Sequence, residues 1–154
     1  MKDRAVESPQ AFPGRFSSLA KIGRLVRQAA KEAGLNDKSA YDVELAVDEA
    51  CTNIIEHGYG GEGKGRIECT CLKTEGGLSV TLRDWGSPFE PGHVARPRRD
   101  VPLSKLRSRG AGLDLIKAAI DKVRYAQDPR GGNVLTLIKK KHRRPVGREA
   151  RNPS

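Results

Sequence analysis

The hydrophobic rhythm of this chain changes character part-way along it, and that change limits the folds open to it. Phe16, Leu19, Ile22, Val26, Ala29, Ala30 and Ala33 recur at helical spacing, which predicts a helix over Arg15–Ala33 ended by Gly34. Val43, Ala46, Val47, Ala50, Ile54 and Ile55 predict a second helix from near Ser39 to His57, with Ser39 and Asp42 as its start signal. Beyond Gly58, Gly60, Gly61, Gly63 and Gly65, read as a flexible connection, helical spacing gives way to short apolar runs between turns. Arg66–Thr74 and Leu78–Asp84 read as strands joined at Gly76-Gly77, and Val123–Gln127 and Asn133–Lys140 as a last hairpin. Between the hairpins, Leu113, Leu115, Ile116, Ala119 and Ile120 mark a third helix starting near Gly112. Helix, helix, strand, strand, long loop, helix, strand, strand implies the α+β class. The expected form is a two-layer α/β sandwich: a mixed, mainly antiparallel sheet with helices on one face.

Composition narrows the function classes. The 154 residues suffice for one domain with a core, and with 36% hydrophobic and 31% charged residues the chain has no apolar stretch long enough for a bilayer. Met1-Lys2-Asp3-Arg4 lacks the apolar run of a signal peptide, so a cytoplasmic location is expected. Cys51, Cys69 and Cys71 are odd in number and lack zinc spacing, which suits reduced, partly buried thiols. The formal charge of +10 raises the question of nucleic acid. Its placement argues against it: residues 139–154 carry a net +6 and residues 94–109 a net +5, leaving −1 for everything else. Those basic stretches hold almost no aromatic side chains for base stacking. The first suits a solvated tail, and the second, beside a glycine motif, suits attraction of a polyphosphate.

Three short motifs carry the chemistry. Glu49 and Asn53 stand four apart on the second helix, so both project from one face. A carboxylate and an amide oxygen suit a magnesium ion, which keeps waters and substrate phosphates among its ligands, and Glu49 equally suits orienting or deprotonating a hydroxyl. An exposed polar stripe would give the same spacing. Asp84 ends the apolar run Leu78–Leu82, where a carboxylate accepts a hydrogen bond from an exocyclic amine such as that of adenine, and Gly86 leaves room for a flat ring. A plain Asp turn fits the same residues. Gly110 and Gly112 precede an apolar helix, an arrangement that cradles phosphate through backbone N–H groups, with Arg107 and Arg109 adding charge. No Gly-Lys-Ser/Thr follows and no strand precedes, so neither a P-loop nor a dinucleotide fingerprint is present. His57 lies on the Glu49/Asn53 face and suits a structural contact, while Trp85 suits either a ligand edge or a plug at the sheet edge.

In this order the motifs resemble those of the GHKL (Bergerat-fold) ATPases, and more narrowly the bacterial anti-sigma-factor serine/threonine kinases, over roughly residues 12–140. Glu44–Tyr59 resembles their N box, Asp84-Trp85-Gly86-Ser87-Pro88-Phe89 their first glycine box and Arg109–Ile116 their second. Gly132–Leu137 resembles their last strand with its threonine. The resemblance implies ATP with Mg2+ held through Asn53, Glu49 as general base, Asp84 reading the adenine amine, and Gly86 and Thr136 at the adenine end. It further implies Gly110, Gly112 and Arg109 at the phosphates, with residues 87–109 as a lid. Residues 1–11 form an N-terminal segment with a short edge strand at Ala5-Val6, and residues 141–154 a basic tail. The implied activity is phosphorylation of an anti-anti-sigma (STAS) partner together with sequestration of a sigma factor, by a homodimer with no membrane or nucleic-acid partner. The alternative is a nucleotide-dependent protein-binding module without kinase activity.

Overall fold

The computed structural model describes residues 8–88, 101–102, 116 and 118–141. Strand β1 (Gln10–Pro13) leads through a 3-10 turn into helix α1 (Leu19–Glu32), followed by α2 (Asp37–Asn53) and a π-helical turn over Ile54–Gly58. Then come β2 (Arg66–Thr74), β3 (Gly77–Asp84), the two-residue β4 (Val101–Pro102), β5 (Lys122–Gln127) and β6 (Asn133–Lys140). Ile116, Ala118 and Ala119 are helical, matching the end of the expected third helix; its start lies outside the described residues.

The strands form a sheet in the order β1-β2-β3-β6-β5-β4, every described pair antiparallel. Both helices cover the same face, where Ile22, Val26, Val43, Val47 and Ile55 meet Ile67, Leu78, Val80, Leu82 and Leu137 in one core. The expected α+β sandwich is therefore present. The hairpin at Gly76-Gly77 and the last hairpin form as the turn residues predict.

The differences lie at the ends of elements. Helix α2 starts at Asp37, two residues before Ser39, because the Asn36 carboxamide accepts the Ser39 N–H at 2.8 Å and so caps the helix. Helix α1 ends as expected at Gly34 (φ 90°), whose N–H donates to the Lys31 carbonyl at 3.0 Å. The N-terminal edge strand lies at Gln10–Pro13, and Ala5-Val6 falls outside the described residues. Pro13 is tolerated there because an edge strand has one side free of the ladder. The segment read as a loop over 86–109 carries the edge strand β4, with Val101 opposite Tyr125. The glycine connection after α2 is tied down: Gly14 N–H donates to the Gly65 carbonyl at 2.7 Å and Gly63 N–H to the Gly14 carbonyl at 3.0 Å.

Lys139, counted above with the basic tail, is instead a buried residue of β6. Its row on the sheet, with Asn133, Leu135 and Leu137, faces the helices. The ammonium donates to the Ala119 carbonyl at 2.7 Å and lies 3.4 Å from Asp42 Oδ2 on α2.

Candidate functional site

The end of α2 builds one wall of the site. Asn53 is its last α-helical residue, buried, with Glu49 one turn earlier and half-buried. The helix then widens: Tyr59 N–H donates to the Ile54 carbonyl at 2.8 Å, an i to i−5 bond. Single π turns of this kind concentrate at functional sites.

The end of β3 builds the facing wall. Leu78, Val80, Leu82 and Asp84 alternate onto the core side of the sheet, so the carboxylate is buried by the same period that buries the leucines. Asp84 Oδ1 accepts the Gly86 N–H at 2.8 Å and the Asn133 amide at 3.0 Å. Burial raises the Asp84 carboxyl above its ordinary value, and the Asn133 and Gly86 donors work against that rise. Among the described residues no hydrogen bond reaches Oδ2.

The two walls are locked by close backbone packing. A Cβ on Gly86 would stand 2.5 Å from the carbonyl carbon and oxygen of Gly58, and Ser87 N–H donates to that oxygen at 2.7 Å. Gly86, expected to leave room for a flat ring, also needs to be glycine for a second reason, the closeness of its backbone to that of Gly58. Tyr59 adds a second tie, its hydroxyl donating to the Arg66 carbonyl at 2.6 Å and accepting the Trp85 N–H at 3.0 Å.

Between the walls lies an open pocket lined by Asn53, Ile54, His57, Gly58, Asp84 and Leu135, among others. His57, read above as a structural contact, lines this pocket, its Nε2 3.8 Å from Glu56. Trp85 does not line it: its ring stands under the Arg66 and Arg83 guanidinium groups, 4.1 and 5.5 Å from its centroid. Thr136 is displaced from the expected role. It pairs with Thr81 in the register and, by alternation, points to the sheet face away from Asp84. The residue opposite Asp84 is Asn133, to which none of the three motifs gives a role. The alternation of Asn133, Leu135 and Leu137 held the signal, since it sets Asn133 on the same side as the leucines. Arg109, Gly110 and Gly112 lie outside the described residues, as do residues 89–100 of the expected lid and 142–154 of the tail.

The arrangement suits a purine nucleotide with a divalent cation. A buried carboxylate with one oxygen held and the other without a described partner suits an amine donor. The Asn53 amide opens into the same pocket and accepts no described hydrogen bond, which fits a hard oxygen donor to magnesium. No cluster of three His, Cys, Asp or Glu side chains suited to a metal occurs among the described residues, so a cation here would take its other ligands from phosphate and water.

A model of the histidine kinase-like ATPase domain matches residues 12–139. The chain belongs to that family. Among its relatives is the serine-protein kinase RsbW of Bacillus thuringiensis (strain Al Hakam), 27% identical over 132 residues that cover 83% of this chain and 82% of the relative. RsbW of Halalkalibacterium halodurans is 28% identical over 131 residues, 82% of this chain and 78% of the relative. RsbW of Listeria monocytogenes is 30% identical over 123 residues, 75% of this chain and 76% of the relative. The crystal structure of the RsbU and RsbW domains of Rv1364c from Mycobacterium tuberculosis shares the fold, with a TM-score of 0.57 at 16% identity. That match covers 89% of this chain and 33% of the longer one, so the chain spans a third of that structure. The resemblance to the anti-sigma-factor kinase branch of the ATPases is thus supported by whole-domain relatives. In this ATPase domain no described helix is long and apolar enough to cross a membrane.

Proposed function

We propose that this chain is an ATP-dependent serine/threonine-protein kinase of a cytoplasmic partner-switching circuit. It phosphorylates a small anti-anti-sigma (STAS) protein and, as a homodimer, sequesters a sigma factor. The observation that carries the reading is the shared pocket: Asp84 and Asn53 line one recess from opposite walls, with Glu49 one helical turn from Asn53.

In this reading Asp84 Oδ2 accepts the adenine amine and Asn53 Oδ1 faces the phosphates. Bound magnesium would neutralise phosphate charge and order the leaving group. Glu49 takes the proton of the partner's serine or threonine hydroxyl as that oxygen bonds to the γ-phosphorus. The bond from γ-phosphorus to the bridging oxygen breaks, and ADP leaves with its electron pair. Arg109, Gly110 and Gly112 are assigned to the phosphates by resemblance alone.

The test is incubation of the purified protein with γ-labelled ATP and the cognate STAS protein, with calorimetry on the side. Wild type transfers label; Glu49→Ala binds nucleotide with wild-type affinity and transfers at least about a hundredfold more slowly. Asp84→Asn loses about tenfold or more in affinity, the worth of a hydrogen bond to a charged group. Tight binding without transfer by the wild type would replace the kinase with a nucleotide-dependent binding module, whose partner affinity follows nucleotide state. Wild-type transfer by Glu49→Ala would remove Glu49 from the chemistry.

A further inference from the structure

We propose that Asn133, held from behind by Gln127, is the positioning residue that makes Asp84 selective for a 6-amino purine over a 6-oxo purine. The inference rests on the reading that Asp84 meets the base.

Asp84 and Asn133 are register partners at the end of the β3–β6 ladder, and both are almost fully buried, at 5% and 3% exposure. The Asn133 amide nitrogen donates one proton to Asp84 Oδ1 at 3.0 Å and the other to the Gly86 carbonyl at 2.9 Å. Both groups on that side only accept from it, so the nitrogen and not the oxygen must stand there. The oxygen end accepts from Gln127 Nε2 at 3.3 Å. The Asn133 side chain therefore spends its two donors and one acceptor site on three partners in a single orientation.

The effect on Asp84 is geometric. With Gly86 N–H and Asn133 Nδ2 both on Oδ1, rotation of the carboxylate is blocked, and Oδ2 is the oxygen with no donor among the described residues. A fixed acceptor is complementary to an amine, which arrives with a proton. A carbonyl at the same ring position brings lone pairs against a carboxylate that cannot turn away, and leaves it without a partner. Sites built to bond a particular donor reject the analogue lacking it far more strongly than apolar pockets reject a change of size. An untethered carboxylate would swing and take a water, and the discrimination would shrink. Asn133 needs no contact with the nucleotide for this role.

The probes are ADP and inosine diphosphate, whose base carries a carbonyl oxygen where adenine has its amine. Calorimetric affinities are measured on the full chain for wild type, Asn133→Ala and Gln127→Leu. Wild type should prefer ADP by about tenfold or more, the range of a charge-assisted bond. Asn133→Ala should lower ADP affinity by about tenfold while inosine diphosphate affinity stays within about twofold, so the ratio collapses. Gln127→Leu, at an exposed strand end, should narrow the ratio by about twofold to threefold. An Asn133→Ala protein that folds, binds and keeps the wild-type ratio overturns the positioning role while leaving Asp84 as the base reader. No preference in wild type overturns the Asp84 reading itself. If Asn133→Ala does not fold, Gln127→Leu decides, and an unchanged ratio there overturns the proposal.

Discussion

The β3–β6 ladder ends in a buried polar group at each extremity, and the two ends are built on opposite principles. At one end, Lys139 sends its ammonium to the Ala119 carbonyl and Asp42, which also holds Lys38 at 3.1 Å. Charge meets charge, and the helix end is satisfied. At the other end, Asp84 is surrounded by neutral donors, both on one oxygen. No described cation answers its charge, and burial raises its carboxyl as a result. A buried charge left without a counterpart is costly to the fold, and such groups concentrate where a ligand completes them. The same sheet thus shows one end whose buried charge is answered and one whose buried charge is not answered among the described residues.

That contrast can be broken most sharply at Gly86. Gly86→Ala forces a methyl against the Gly58 carbonyl, where the ideal contact is 2.5 Å, and should cost about 1–3 kcal/mol of stability along with nucleotide binding. Gly58→Ala is the control. Its nearest contact is 3.6 Å from Ser87 O, so thermal denaturation should show it close to neutral. Equal damage from the two would dissolve the idea that the walls of the pocket are locked through Gly86.

Lys139→Met tests the closed end. It strands the Ala119 carbonyl and half of the Asp42 partnership, and should cost about 2 kcal/mol in urea unfolding while ADP affinity stays within twofold. A matching loss of ADP affinity would mean that the two ends are coupled.

Acid separates the ends further. Because burial raises Asp84 above its ordinary 3.8, the folded chain keeps a proton there that the unfolded chain has released. Lowering the pH through that interval favours the fold at this group. Nucleotide binding runs the other way, since a protonated Asp84 is a poorer acceptor, so ADP affinity should fall as pH drops through the raised value. Repeating the measurement in His57→Gln controls for the imidazole that lines the same pocket. Asp128 behaves as the opposite case. Its hydrogen bonds to Arg130 and to Arg83 hold its carboxyl well below the ordinary value, so its contribution is present near neutrality and is lost as pH falls below that value.

The smallest effect is expected at Thr136. Thr136→Val, on the far face of the sheet, should leave ADP affinity unchanged within about twofold, whereas a role at the adenine end requires a loss.

The parts of the molecule that were legible in the sequence are those that a hydrophobic period describes. Helices α1 and α2 and the four long strands follow from apolar spacing, because burial on one face is a local, repeating demand. The misplacements arise where a single polar atom or a neighbour far along the chain decides. Asn36 and not Ser39 caps α2 because of one side-chain bond. Strand β4 is two residues long, too short for any period. Gly86 stands out in its motif, but its backbone contact is not legible there, since the backbone it meets lies 28 residues away at Gly58. Thr136 enters by motif likeness, whereas parity with Leu135 and Leu137 sets it on the face away from Asp84. Asn133 stood on the right face in plain view of the same alternation.

The π turn after Asn53 has a consequence of its own. A helix closed by i to i−5 bonds contains one residue more per turn than the α-helical pitch requires, so everything beyond it is rotated in phase relative to Glu49 and Asn53. Gly58, the last residue of that turn, is the one that meets Gly86. Counted in residues, the interval from Asn53 to Gly58 is therefore a clock setting more than a spacer: deleting one residue within it would let the helix relax to its ordinary pitch. The glycine would then turn away from its contact, and the pocket would lose its wall with every site side chain still in the chain.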